Sequence, residues 1–239
     1  MIEFHDFADA EIQLGDAVFQ PGTENLILVE TAEQSAEILN CIAGLRAPAR
    51  GSVQVFGRNP SKLPRDERLQ ALIKVGIIPQ DGGLLSVLPV WKNILLPRQF
   101  QWKDHPAGLA EEFDEALRFC GAACDPGDEW LRLLPDYLSQ YQRRIAAFLR
   151  LMLSGPSICI YENLTGNLPG RQKEALLALA RRYHGQQPGR ISVYLEFDSE
   201  LLAARWSGAI LRGISRATSP SNPKTHADAS NIRISIAPF

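Results

Sequence analysis

Short apolar runs bounded by turn residues alternate along the chain with longer stretches of helical period. Leu26-Ile27-Leu28-Val29 is an apolar run of strand length, and apolar residues then return at Ile38, Leu39, Cys41, Ile42 and Leu45 with the spacing of one helix face. Ala47-Pro48-Ala49-Arg50-Gly51 breaks that helix, and Ser52-Val53-Gln54-Val55-Phe56-Gly57 alternates like a strand running into a turn. Val75 to Pro79, Ile158-Cys159-Ile160-Tyr161 and Ile191 to Leu195 read as further short strands, while Leu84 to Leu153 is mainly helical. Strands alternating with helices predict an α/β fold: a mainly parallel sheet flanked by helices, with the central block as an inserted helical subdomain. Ser215 to Asn231 is rich in Ser, Thr, Pro, Asn and Asp and reads as a linker. Ile232-Arg233-Ile234-Ser235-Ile236 alternates again, a strand whose apolar face needs a surface.

Composition narrows the classes. With 239 residues, 45% of them hydrophobic and 22% charged, the chain has enough apolar material for a large core. A formal net charge of -2 and no long run of Lys and Arg give no electrostatic reason to expect nucleic acid. Met1-Ile2-Glu3-Phe4-His5-Asp6 is acidic and unlike a signal peptide, and no stretch of about 20 apolar residues is present, so a soluble or peripheral protein is expected. Cys41, Cys120, Cys124 and Cys159 include no second pair at metal spacing, so free thiols and no metal site are expected.

Four stretches carry chemistry together. Leu39 to Leu45 followed by Arg50 to Gly57 is similar to the segment after the Walker A loop of ABC transporter ATP-binding subunits. Ile77-Ile78-Pro79-Gln80-Asp81 followed by Val90-Trp91-Lys92-Asn93-Ile94-Leu95-Leu96-Pro97 resembles the Q-loop and its sequel. Leu138-Ser139-Gln140-Tyr141-Gln142-Arg143-Arg144-Ile145-Ala146 resembles the signature sequence, and Ile158 to Glu162 the Walker B strand. The order and the spacings match over residues 1 to 213. The resemblance implies the P-loop NTPase-like ABC ATPase fold. A RecA-like α/β core would span 1–83 and 154–214, a helical signature subdomain 84–153, and a linker with a strand tail 215–239. The sequence after Trp91 leans toward the lipid-trafficking or lipoprotein type of ABC system.

The resemblance also places the site residues. The P-loop needs glycines whose N–H groups curl around phosphate, a Lys for the β/γ-phosphates and a hydroxyl for Mg²⁺. Residues 30–37 fall on it and read Glu30, Thr31, Ala32, Glu33, Gln34, Ser35, Ala36, Glu37, without glycine. Ser35 takes the Lys position, and Ala36 and Glu37 the hydroxyl positions. A carboxylate about 4 Å from a phosphate charge costs roughly 4 kcal/mol at an effective dielectric of 20. Thr31-x-x-Gln34 fits a capping box, so this helix is expected to cap itself without a phosphate. Tyr161 takes the place of the Walker B Asp and Glu162 that of the catalytic Glu. Leu168 falls at the D-loop Asp and Phe197, before Asp198, at the switch His. No aromatic for stacking on adenine is apparent.

Gln80 keeps the Q-loop residue, read either as a link between nucleotide site and subdomain or as a surface turn residue. Ser139 and Gln142 keep the signature, whose glycines are Gln140 and Tyr141; Ser139 is expected to cap its helix. Leu84, Leu85 and Trp91 lie in an apolar stretch expected to be partly exposed and to bind a partner, with burial under the subdomain as the alternative.

The expected protein is a noncatalytic, pseudo-ATPase subunit at the cytoplasmic face of a membrane. It would bind no cofactor itself and dock to an ABC transmembrane permease subunit and a second ATP-binding subunit. The alternatives are a residual ATPase using Glu162 and a soluble regulator that pairs with a catalytic homologue.

Overall fold

The computed structural model describes residues 1–101, 108–121, 129–197, 206 and 209–215. The apolar runs become the strands β3 (Glu24–Val29), β5 (Val75–Ile78), β6 (Ile158–Glu162) and β7 (Ile191–Phe197), which join β8 (Ala209–Arg212) in one sheet. All its pairs are parallel and its order is β5-β6-β7-β3-β8. Strands buried on both faces need continuous apolar runs rather than alternation, which is why these segments read so plainly.

A second sheet is antiparallel, in the order β4-β1-β2-β9. It contains β1 (Ile2–Ala8), β2 (Ile12–Phe19), β4 (Arg50–Val55) and β9 (Ile214–Ser215). The pattern of the sequence gives no warning of β1 and β2. Register shifts between Phe4 and Phe7 and between Phe7 and Ala8 interrupt the period of two. Phe4 nonetheless packs edge-on against Phe7 and Phe19, ring centroids 5.3 and 5.6 Å apart. Ser215, expected to open a linker, pairs with Ile12 in β9. The expected strand at Ile232–Ile236 lies outside the described residues, as do residues 216–231, Asp198 and Cys124.

The parallel sheet divides the interior into two. Helix α1 (Ala32–Ile42) buries Ile38, Cys41 and Ile42 against Ile27, Val29, Ile160, Val193 and Leu195. On the opposite face Leu26, Leu28, Cys159, Tyr161 and Tyr194 pack with α5 (Gln140–Ser154) and α6 (Gly170–Gly185). Successive strand residues point to opposite faces, so in β6 Ile158 and Ile160 face α1 whereas Cys159 and Tyr161 face α5. Burial pushes the thiols of Cys41 and Cys159 up to about 12, so both stay protonated and inert.

Between β5 and β6 lie α3 (Val90–Gln101), α4 (Leu109–Cys120) and α5. Val90, Ile94, Ala116, Cys120, Trp130 and Leu131 belong to the same apolar cluster as the α5 face of the sheet. The helical segment therefore shares its core with the sheet. Its first link is Gly82-Gly83: Gly82 has φ 87° and a Cβ there would lie 2.8 Å from the Arg143 carbonyl oxygen. Only glycine fits that combination. A further helix, α2 (Arg65–Leu72), precedes β5 and buries no side chain, which explains why no apolar stripe announces it.

Candidate functional site

The C-terminal ends of β3, β6 and β7 point the same way, and in an open parallel sheet that edge is where ligands are held. Only Glu30 and Thr31 separate β3 from α1, because α1 begins at Ala32. The residues that the resemblance assigns to a phosphate loop, Ala32 to Glu37, thus form the first turns of a helix.

That helix start is satisfied from within. Thr31, extended at φ -136° and ψ 162°, accepts a hydrogen bond from the Gln34 N–H. The other half of the expected box is displaced by one residue, since Gln34 Oε1 accepts from the Glu30 N–H at 2.8 Å, and Gln34 Nε2 donates to the Glu11 carbonyl at 2.9 Å. The Glu33 carboxylate is held below its ordinary value by its own backbone N–H and by Thr31. Glu37 faces away from this edge: Oε2 accepts from the Glu11 N–H at 3.2 Å and Oε1 pairs with Arg46 at 3.5 Å. Of the carboxylates expected at the loop, Glu30 and Glu33 are exposed beside the helix start and Glu37 belongs to an ion pair.

Three of the predicted site residues converge. The wholly buried Ser35 donates its hydroxyl hydrogen to Glu162 Oε1 at 2.7 Å, and the Gln80 N–H donates to Glu162 Oε2 at 3.2 Å. Both oxygens of the carboxylate at the end of β6 are engaged by the chain itself. Tyr161 does not join them. It is wholly buried on the other face, its ring stacked on Phe148 at 6.2 Å and tilted against Tyr194 at 4.8 Å. Strand alternation puts Glu162, not its neighbour, on the α1 side. Tyr161, which the resemblance sets in place of the Walker B Asp, thus lies on the α5 side, where a carboxylate would enter the apolar core.

Ser139 caps α5 as expected and forms a full capping box. Its hydroxyl accepts from the Gln142 N–H at 3.2 Å, and Gln142 Oε1 accepts from the Ser139 N–H at 2.9 Å. Gln140 opens α5, and half-buried Tyr141 packs on the apolar cluster. Phe197 is half-buried against the cluster beneath α1, and Leu168 is buried on the α5 side. The apolar stretch after Gln80 splits: Leu84 packs on the core, whereas Leu85, Val87 and Trp91 are exposed at 51%, 81% and 38%. Leu133 and Leu134, also exposed, lie alongside, because the Val90 N–H donates to the Leu133 carbonyl at 3.0 Å.

Sequence reading missed Arg144 and Glu196. Arg144 is wholly buried and donates from Nε to the Gln80 carbonyl at 3.2 Å and from Nη1 to those of Leu164 at 2.9 Å and Gly166 at 2.8 Å. Glu196, near it on β7, accepts from the Thr165 hydroxyl at 3.2 Å. Burial pushes its carboxyl from 4.5 up to about 7, against the opposing pull of hydrogen bonds from Thr165 and Leu164 and the charge of Arg144. Because the folded state keeps this proton where the unfolded state has lost it, stability should fall as pH rises from about 4.5 to about 7. The full loss is on the order of 3 kcal/mol. Replacing Glu196 by Gln should flatten that part of the profile, and parallel thermal melts from pH 5 to 8 would measure it. Equal slopes in both proteins would refute the assignment.

The fold is that of an ATP-binding cassette. It matches the post-hydrolysis dimeric ATP-binding cassette MJ0796 bound to ADP and Pi with a TM-score of 0.74 and 20% identity, covering 89% of this chain and 94% of that one. It also matches cbiO1 of Clostridium perfringens, part of the ABC transporter complex cbiONQ, with a TM-score of 0.69 and 15% identity over 89% of this chain and 86% of that one. In sequence the chain is 28% identical over 170 residues to the lipoprotein-releasing system ATP-binding protein LolD 1 of Rhodopirellula baltica, covering 70% of this chain and 71% of that protein. It is 23% identical over 176 residues to the methionine import ATP-binding protein MetN 1 of Acinetobacter baylyi, covering 74% of this chain and 48% of that protein. It thus spans about half the length of the methionine-import relatives that it matches. No family model matches. The chain is a relative of the ATP-binding subunits of ABC transporters, and the resemblance read from its motifs holds. Among the described residues no helix is long and apolar enough to cross a membrane.

Proposed function

We propose that this protein is a non-hydrolysing ATP-binding-type subunit of an ABC transporter, one that supports or regulates a membrane permease without turning over nucleotide at its own site. The observation that carries the reading is the Ser35–Glu162 hydrogen bond of 2.7 Å beneath a helix that starts at Ala32. A triphosphate and its metal need a loop of free N–H groups, a cation and a hydroxyl beside a metal-holding carboxylate. The residues present do not fit them. The loop is wound into helix, Ser35 stands where the Lys would be, and Glu162 is held by the chain.

In this reading the chain docks to a transmembrane permease through the exposed apolar face around Leu85 and Trp91, and it pairs with a second cassette that supplies ATP hydrolysis. The lipoprotein-releasing relative and the Asn93 to Pro97 sequence support a lipid or lipoprotein cargo. One observation favours the residual-ATPase alternative: Glu162 ends a strand at the ligand-binding edge and is only half-buried. Glu162→Gln separates the two in the assembled transporter. Turnover within twofold of the wild type agrees with the non-hydrolysing reading, and a loss above tenfold would make Glu162 a working residue.

A further inference from the structure

The hydrogen bonds around Glu162 do not stop at the ligand-binding edge. The Ser35 hydroxyl on α1 reaches Glu162 on β6, and Glu162 takes the Gln80 N–H from the segment that enters the helical region. The carbonyl of the same Gln80 takes Arg144 Nε from α5, and Arg144 Nη1 divides between the carbonyls of Leu164 and Gly166 in the segment after β6. Thr165, between those two, bonds Glu196 on β7. On the same helix two turns on, Arg150 donates to the carbonyls of Gly83 at 2.6 Å and Gly82 at 3.0 Å. A chain of polar contacts therefore runs from α1, through β6 and the Gln80 segment, to the helical region and back to β7. At its centre is a guanidinium wholly removed from solvent.

Such a group is costly to bury. It is retained only where every donor is matched, and a planar fork of donors fixes three carbonyls at once in a way that a flexible ammonium cannot. Those carbonyls come from two separate segments, so the fork sets the position of α5 relative to both. We infer that Arg144, with Glu162, is a built-in clasp: the two side chains hold the helical region on the α/β core in one arrangement. Arg144 is a positioning residue in this account. It touches no substrate, and it acts through the Gln80 segment and the segment following β6. The clasp stands apart from the question of hydrolysis, since all its contacts lie within the chain.

Hydrogen exchange on the ligand-free full chain tests it, because the Gln80 N–H reports the clasp directly. Arg144→Met should speed exchange at Gln80 and Gly166 at least tenfold while Val193, in the centre of β7, changes less than twofold. Glu162→Ala, which removes no atom of α5, should speed exchange at Gly166 as well as at Gln80. In the double variant the effects should fall short of the product of the single ones, as for residues of one network. Unchanged exchange at Gln80 and Gly166 in Arg144→Met, or strictly multiplicative effects in the double variant, would overturn the clasp. If Arg144→Met does not fold, Arg144→Lys decides. It keeps the charge and loses the fork, so intermediate acceleration at both amides supports the clasp, and wild-type exchange overturns it.

Discussion

Tyr161→Asp is expected to abolish stable folding rather than to restore a metal-holding residue. The side chain is wholly buried between Phe148 and Tyr194, on the α5 face of the parallel sheet. Truncating a buried aromatic residue costs about 3–5 kcal/mol. The carboxylate that replaces it would be buried without a partner or forced to take up a proton, a further cost of several kcal/mol. The sum is comparable with the whole stability of an ordinary domain, about 5–15 kcal/mol. Circular dichroism should show lost cooperativity in the thermal melt. Tyr161→Phe, by contrast, should melt close to wild type, because the buried hydroxyl makes no hydrogen bond of ordinary geometry among the described residues. A folded Tyr161→Asp protein melting within a few degrees of wild type would mean that residue 161 faces the ligand edge after all.

Trp91→Asp is expected to do the reverse, sparing the fold and losing the partner. Trp91 is 38% exposed and carries Lys92 over its ring at 5.3 Å; its neighbour Val90 bonds Leu133, and Leu85, Val87, Leu133 and Leu134 in these two segments are exposed as well. Removing such a side chain at the surface of the isolated chain costs little. An aromatic residue at the centre of an apolar interface is commonly worth 2 kcal/mol or more, about thirtyfold in dissociation constant. Affinity for the membrane subunit should fall by at least that factor while the melting temperature stays nearly constant. Outright unfolding, or undiminished affinity, would remove this face from the docking surface.

The parallel sheet and α1 were legible because fully buried strands demand unbroken apolar runs, and because a Thr cap marks the helix start. The hairpin of β1 and β2 was not, since its bulges break the alternation on which the reading depends. The site was legible in part. Ser35 and Gln80, placed by resemblance alone, both donate to Glu162, the first from its hydroxyl and the second from its backbone N–H. The resemblance also put the Walker B residue at Tyr161, where the strand's period of two turns it into the core. Arg144 was passed over as part of a signature-like run. Its role depends on carbonyls 20 and 22 residues downstream and 64 upstream, which no local pattern encodes.

We propose that the chain's own side chains close the nucleotide position. Calorimetric titration of the purified full chain with Mg-ATP tests it most directly. No saturable binding tighter than about 1 mM is expected, a free energy of about -4 kcal/mol. A micromolar dissociation constant would contradict it.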